Sequence, residues 1–309
     1  MIESIHIKNY RCLRNVKVEF GALTALVGAN ASGKSAVLEA LHPGATISNR
    51  DVWRHDTTQT LVLETALANG RVNLVEFKQG TRQHSGNHPF GFALLHLDLS
   101  VLRHENRLEN VRRISGGGQH LTNVFGSLTR KEKDRLASEL CRLVPVFADV
   151  DTRATGNAGH HQLVFQDCWN ADIWYTPHEV SDGTMLVLAL LTFQFQEPAI
   201  NVIAIEEPER GLHPYLLHEV VTFLRDLAHG KVGSRAVQVI LATHSAELLD
   251  CLRPEEVRFL RRAEKSGNVE VETCPTQQPA WERAFQEYRN SLATAWLSGG
   301  LGGVPGGTP

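Results

Sequence analysis

The chain has 309 residues, of which 42% are hydrophobic and 21% charged, enough for one large domain or two small ones around a sizeable core. A formal net charge of −3 supplies no global basic field that would draw it onto nucleic acid or acidic lipid. The five cysteines are scattered and form no CxxC pair, which argues against a zinc site or a disulfide framework and for a reducing compartment; with no apolar run of membrane-span length and no leader pattern at the start, a cytoplasmic protein without a membrane partner is expected.

The chain opens with alternating runs. Ile5 and Ile7, then Val16, Val18 and Phe20, face one way with polar residues between them, which predicts two strands of an antiparallel layer. ALTALVG reads as a buried strand, GANASGKS as a glycine-rich loop, and SAVLEALH as a helix with Val37, Leu38 and Leu41 on one side. Residues 60–80 predict a hairpin turning at Asn69-Gly70. The stretch from about 81 to 120 gives no clear period. A capping box, Thr129-Arg-Lys-Glu132, starts a helix carrying Leu136, Leu140 and Leu143 on one face. A strand pair is expected around HQLVFQ and DIWYTP, and His160-His161 reads as a loop. Then come a helix after SDGT, the strand NVIAI, a helix from Pro214 to about His229, the strand VQVIL and a helix after Ser245. This alternation predicts a parallel core sheet. The tail, SGGLGGVPGGTP, is rich in glycine, yet Trp296 and its apolar neighbours suggest a segment that docks on a partner or a second subunit.

Four of these segments carry chemistry. Gly28-Ala-Asn30-Ala-Ser-Gly33-Lys34-Ser35 matches G-x-x-x-x-G-K-[ST] between a strand and a helix. In such a loop the backbone N–H groups turn inward around phosphates, the lysine reaches the β- and γ-phosphates, and the serine hydroxyl ligates Mg²⁺. Glu206 and Glu207 end the apolar strand NVIAI. On its own this would read as an exposed acidic turn. Beside a phosphate loop, Glu206 fits the acidic group that holds Mg²⁺ and Glu207 the general base for the attacking water, with the metal and Lys34 offsetting the paired negative charge. His244 follows the next apolar strand, where strand ends converge on a ligand crevice. Ser181, Asp182 and Gly183 head an apolar helix, which reads either as a plain N-cap or as a second anion-binding helix start.

The order phosphate loop, SDGT, apolar-EE-P-E-x-G-L-H-P, then A-T-H-S resembles the ABC-type ATPase heads of the SMC/RecF group, closest to stand-alone ATPases related to the OLD family. The resemblance covers most of the chain outside about 81–160 and the tail. It implies an α/β P-loop NTPase fold: a mostly parallel core sheet, an N-terminal antiparallel β layer and an inserted α/β lobe. The expected layout is one ATPase domain over 1–295, with the lobe at about 81–160, and a tail over 296–309. Carried over, ATP and Mg²⁺ are the cofactors, with Gly28, Asn30, Gly33, Lys34 and Ser35 holding phosphates and Ser35 and Glu206 the metal. Glu207 is the catalytic base and His244 the switch histidine. Arg11, in the opening HIKNYRCL, lies near the nucleotide. Ser181, Asp182 and Gly183 contact the γ-phosphate held by the other subunit, so that a homodimer sandwiches two ATP molecules.

Three features depart from the pattern. Glu206 stands where many ABC proteins have Asp; no glutamine, Gln83 and Gln119 included, marks a clear Q-loop; and no coiled coil or zinc hook interrupts the chain. Fewer than seventy residues follow His244, too few for the nuclease domain of OLD proteins, so any nuclease is expected on another chain. The expected function is an ATP-driven switch acting in DNA repair or antiviral defence with DNA or a separate effector. The alternative, the ATPase subunit of a membrane transporter, is disfavoured by SDGT and the G-L-H-P turn. Three basic clusters, Arg103 to Arg113, Arg130 to Arg135 and Arg258 to Arg262, read first as solvated faces rather than DNA sites.

Overall fold

The computed structural model describes residues 1–86, 91–197, 200–233, 235–278, 281–299 and 301. Among these residues the strands are β1 (Ile2–Tyr10), β2 (Leu13–Glu19), β3 (Leu23–Val27), β4 (Leu61–Leu67), β5 (Val72–Lys78), β6 (Thr81–Ser85), β7 (Phe92–Leu95), β8 (Asn106–Arg107), β9 (Phe147–Ala154), β10 (His160–Asp167), β11 (Trp174–Tyr175), β12 (Val202–Glu206), β13 (Gln238–Thr243), β14 (Val257–Arg262) and β15 (Val269–Thr273). The helices are α1 (Lys34–Leu41), α2 (Leu99–Leu102), α3 (Leu121–Gly126), α4 (Arg130–Leu143), α5 (Asp182–Thr192), α6 (Pro214–Ala228), α7 (Ala246–Leu249), α8 (Trp281–Glu287) and α9 (Leu292–Leu297). They fall into two compact units. The first takes in 1–94, 202–208 and 238–309, the second 95–201 and 209–237.

In the first unit the alternating N-terminal runs form an antiparallel sheet ordered β2-β1-β4-β5-β6. Strand β1 buries Ile2, Ile5, Ile7 and Tyr10, Ile5 and Ile7 fully so, with the strict two-residue spacing held between Ile5 and Ile7 and a register shift after Ile2. A second sheet, ordered β15-β14-β3-β13-β12-β7, is parallel through β14, β3, β13 and β12, with β15 antiparallel at the edge. Its central strands β3 and β13 are buried at every position, as expected of strands covered on both faces, and apolar but for Thr24, Gln238 and Thr243. Helix α1 touches both β1 and β13, and Val37, Leu38 and Leu41 join Ile5, Ile7, Ile240 and Ala242 in one core. The Asn69-Gly70 hairpin forms between β4 and β5.

The second unit pairs β9, β10, β11 and β8 in a small antiparallel sheet, with α4 packed on β9 and on α5. Helix α4 begins with the expected capping box: Glu132 N–H donates to Thr129 Oγ1, and Glu132 Oε2 accepts from Thr129 N–H at 2.7 Å. Arg142 ties α4 to α6 through Glu219 at 2.9 Å, and Arg112 bridges Glu132 and Glu197.

Several local expectations are corrected. His160 and His161 begin strand β10 rather than a loop, paired with Arg107 and Asn106. The helix after Ser245 is a single turn, α7. The expected boundary at 295/296 falls inside α9, where Trp296 is buried against its own unit. Asp250 accepts hydrogen bonds from Ser291 Oγ and Ala293 N–H at 2.9 Å, fixing α9 beside α7. Trp296 is therefore a core residue, not a docking group; the rest of the expected docking tail, Gly300 and residues 302–309, lies outside the described residues.

Candidate active site

Strand β3 ends at Val27 and the chain turns at once into the glycine-rich loop. The turn is possible only without a side chain at Gly28: a Cβ there would lie 2.3 Å from the Leu260 carbonyl oxygen of the neighbouring strand β14 and 2.7 Å from Ser32 Oγ. Ala31 and Gly33 take positive φ, 62° and 102°, which curls the backbone before α1. A Cβ on Gly33 would meet Leu13, Cys12 and Val269 at 3.1–3.2 Å. Gly33 is the N-cap of α1 and no side chain caps the helix, so its first-turn N–H groups keep the anion-binding character of a bare helix start. Lys34 Nζ donates to the carbonyl oxygens of Gly28 at 2.7 Å and Ala29 at 2.9 Å, which holds the ammonium over the loop. Asn30 and Ser35 are exposed on the same loop and the first turn of α1. Ser32 is 4% exposed and its Oγ has no hydrogen-bond partner.

The acidic pair and the histidine come to the same sheet edge. Register places Glu206 opposite Ala242, which lies opposite Leu26, while Thr243 lies opposite Val27. The C-terminal ends of β3, β13 and β12 are thus level, and the phosphate loop, Glu207 and His244 continue from them. Glu207 has φ 47°, and its N–H donates to Ala242 O at 2.8 Å. Its carboxylate Oε1 lies 3.2 Å from His244 Nδ1, both side chains partly exposed. The two adjacent glutamates are therefore split: Glu206 ends the strand half-buried, and Glu207 turns to the histidine.

Arg11 also has positive φ, 48°. It donates through Nε to Asp51 Oδ1 at 2.8 Å and pairs with Glu39 of α1 at 2.6 Å. Burial opposes its charge, but the bonds to Glu39 and Asp51 outweigh that and raise its pKa. Burial likewise opposes the Asp51 charge, and the Arg11 and Ser48 hydrogen bonds overcome it, so Asp51 stays below the usual carboxylate range. Arg11 and Asp51 line a cavity of about 510 Å³ with Arg50, Trp53, Arg54 and Arg262. Cys12, on the same cavity wall, reaches the position of Gly33, so the cavity adjoins the phosphate loop. Sequence reasoning found Arg11 but missed Asp51, Glu39 and the arginines at 50 and 54. The signal was the Ser48-x-x-Asp51 box, in which Asp51 Oδ2 accepts from Ser48 N–H at 2.9 Å and shapes the turn.

Ser181, Asp182 and Gly183 belong to the second unit, whereas Arg11, Lys34, Glu206, Glu207 and His244 belong to the first. Ser181 Oγ caps α5, accepting from Thr184 N–H at 3.2 Å. Gly183 lets the helix approach another turn: a Cβ there would sit 3.1 Å from Gly211 O. Asp182 is paired with Arg103, which also donates to the Pro177 and Val180 carbonyls. Of the basic clusters, Arg261 pairs across strands with Glu270 and Glu272, and Arg258 donates to the Glu19, Glu255 and Val257 carbonyls, so these side chains brace the sheet. Among the described residues no group of three His, Cys, Asp or Glu converges as a metal site, and none of the helices is long and apolar enough to cross a membrane.

A protein-family profile described as "AAA domain, putative AbiEii toxin, Type IV TA system" matches residues 75–250, and a second, "AAA ATPase domain", matches residues 1–66. Among curated proteins the chain is similar to the OLD nuclease of Thermus scotoductus, 22% identical over 85% of this chain; it spans 62% of that protein's length. Among solved structures it is similar to the SMC head domain from Thermotoga maritima (14% identity, 88% of this chain and 98% of that one, TM-score 0.54). An Smc head bound to the C-winged helix domain of ScpA matches with 16% identity, 90% and 99% coverage and a TM-score of 0.59. These structures share its P-loop NTPase head fold, with its parallel and antiparallel sheets. Over more than half its length the chain matches the first of these profiles, and it belongs to that AAA-domain family as an ATPase.

Proposed function

We propose that the chain is an ATP-driven switch whose hydrolytic centre is the level edge of β3, β13 and β12. The observation that carries this is the convergence there of the phosphate loop, Glu206, and the Glu207–His244 pair at 3.2 Å. The cradle fits an anion, because the Gly28 and Gly33 positions tolerate no side chain and α1 starts uncapped. Lys34 neutralises phosphate charge, and Asn30 borders the phosphates. Mg²⁺ suits this donor set, since it takes one or two carboxylates and substrate phosphates rather than a dedicated protein cage; Ser35 and Glu206 would hold it. When bound, it draws charge from the phosphate oxygens. Glu207 takes the proton of the attacking water, and His244, within hydrogen-bond reach, orients that carboxylate and senses the γ-phosphate. Arg11, fixed by Asp51 and Glu39, borders the nucleoside end through the adjoining cavity.

Ser181, Asp182 and Gly183 then serve the nucleotide of a second copy, closing a homodimer on two ATP molecules. Hydrolysis removes the γ-phosphate contacts and releases it. The likeness to an OLD nuclease supports work on DNA, in repair or antiviral defence, with a separate nuclease or other effector in the cytoplasm. Glu207→Gln removes the base and keeps the shape, so this variant is expected to retain ATP and accumulate as a dimer with ATP and Mg²⁺ in multi-angle light scattering. A variant that stays monomeric at saturating ATP refutes the switch.

A further inference from the structure

The largest exposed apolar side chain in the second unit is Trp169, 79% exposed at the tip of the β10–β11 hairpin. Val146 and Ile173 are also exposed beside it: Cys168 N–H donates to Val146 O at 3.1 Å, and Asp167 N–H to Ile173 O at 3.0 Å. A solvent-facing hairpin tip has no folding reason to carry tryptophan, and water carries the cost of that ring.

The tip is also rigid. Asp167 Oδ1 accepts from the N–H groups of both Trp169 and Asn170 at 2.8 Å, and its Oδ2 accepts from Tyr175 OH at 3.1 Å. Gln166 Nε2 donates to Ala171 O at 2.8 Å, Asp172 N–H to Asn170 Oδ1 at 3.0 Å, and Ile173 N–H to Asn170 O at 3.0 Å. A tryptophan held on a preorganised turn loses little conformational freedom when it docks, the usual character of a binding hot spot.

Charge selects the occupant. No lysine or arginine occurs in 143–152 or 160–182, while Asp149, Asp151, Asp172 and Glu179 lie in those stretches, the last three exposed. The cations beside these stretches are engaged: Lys133 lies 3.9 Å from Asp151, Arg153 stands 4.2 Å over the Trp174 ring, Arg103 pairs with Asp182, and Arg142 pairs with Glu139 and Glu219. An acidic rim repels the phosphates of nucleic acid, and a second copy presenting the same face would oppose like charges.

We propose that Trp169, with Val146 and Ile173, is the anchor for a separate protein whose surface offers an apolar socket bordered by lysine or arginine. The inference is independent of the nucleotide site. The test places benzophenone-alanine at position 169, and in a control at the exposed Tyr215, of the full-length chain, and irradiates both in cells. The protein cross-linked from 169 is then purified and titrated by calorimetry against the unlabelled chain. Trp169→Ala is expected to weaken that complex about tenfold or more while Tyr215→Ala leaves it unchanged. Asp172→Asn and added salt should each weaken it as well, because the rim is electrostatic. With Trp169 so exposed, the Ala variant should melt with wild type, and Trp169→Phe should recover part of the affinity. Cross-linking at 169 no greater than at 215, cross-links confined to nucleic acid or to another copy of the chain, or a complex indifferent to Trp169→Ala each overturns the proposal.

Discussion

Glu207 sits in a left-handed backbone conformation, φ 47°, that a glutamate adopts only at a cost of order 1–3 kcal/mol. The bond from its N–H to Ala242 O holds it there, and the result is a carboxylate aimed at His244 instead of along the strand. Gly28 shows the complementary constraint, a position where backbone must pass 2.3 Å from where a Cβ would be. Gly28→Ala is expected to displace the loop from β14, destabilise the fold by about 1–3 kcal/mol and abolish nucleotide binding. Thermal melting and a fluorescent-ATP titration read the two effects separately, and a variant that binds ATP like wild type contradicts the cradle. The phosphate-loop residues were legible in the sequence from their spacing, the acidic pair from its place beside that loop, and Arg11 and the role of Ser181, Asp182 and Gly183 only through the family resemblance. Their supports were not: Asp51 and Glu39 meet Arg11 only after residues far apart in the chain are brought together.

At the scale of elements, the start of α5 carries both a cap and a charge pair. Arg103 joins Pro177 O, Val180 O and Asp182, so one guanidinium sets the path of the chain into the helix and neutralises a carboxylate beside the proposed γ-phosphate contact. Arg103→Ala should lower kcat for ATP hydrolysis about tenfold or more with little change in the affinity of the isolated chain for ATP. Adding Asp182→Asn to it should restore part of the rate, because the unpaired negative charge is then gone. Equal rates in the single and double variants would show that Arg103 does not act by charge. Elements with strong periods were readable beforehand: β1, β2, the β4–β5 hairpin, α4 with its capping box, and α6 with Pro214 in its first turn. Strand β6 was not, since all five of its residues are exposed and no alternation marks them. Nor were β14 and β15: the arginines of β14 looked like a solvated cluster, but Arg261 pairs across the ladder with Glu270 and Glu272 and Arg258 donates to backbone carbonyls.

For the whole molecule, the proposed centre and the proposed trans contact lie in different compact units. Hydrogen exchange should separate them. ATP with Mg²⁺ is expected to protect the amides of residues 28–37 and 205–207 at any protein concentration. Protection of 181–186 should appear only as concentration rises through the dimerisation range. Protection of 181–186 at high dilution would mean that the α5 start serves a nucleotide on its own chain.

Gln238 has a larger consequence than its buried position in β13 suggests. Its side chain accepts from Ile2 N–H at 2.7 Å and donates to the carbonyls of Ile2 at 2.8 Å and Gly21 at 2.9 Å, joining β1 to a residue 236 positions later. Its strand, β13, lies between β3 and β12. During synthesis about two hundred residues separate the phosphate loop from the strand that flanks it, so the loop is made well before its neighbour in the sheet. The sheet can close only once β13 is made, a long-range assembly of the kind that folds slowly. Hydrolysis at the proposed centre would have to wait until translation has passed His244.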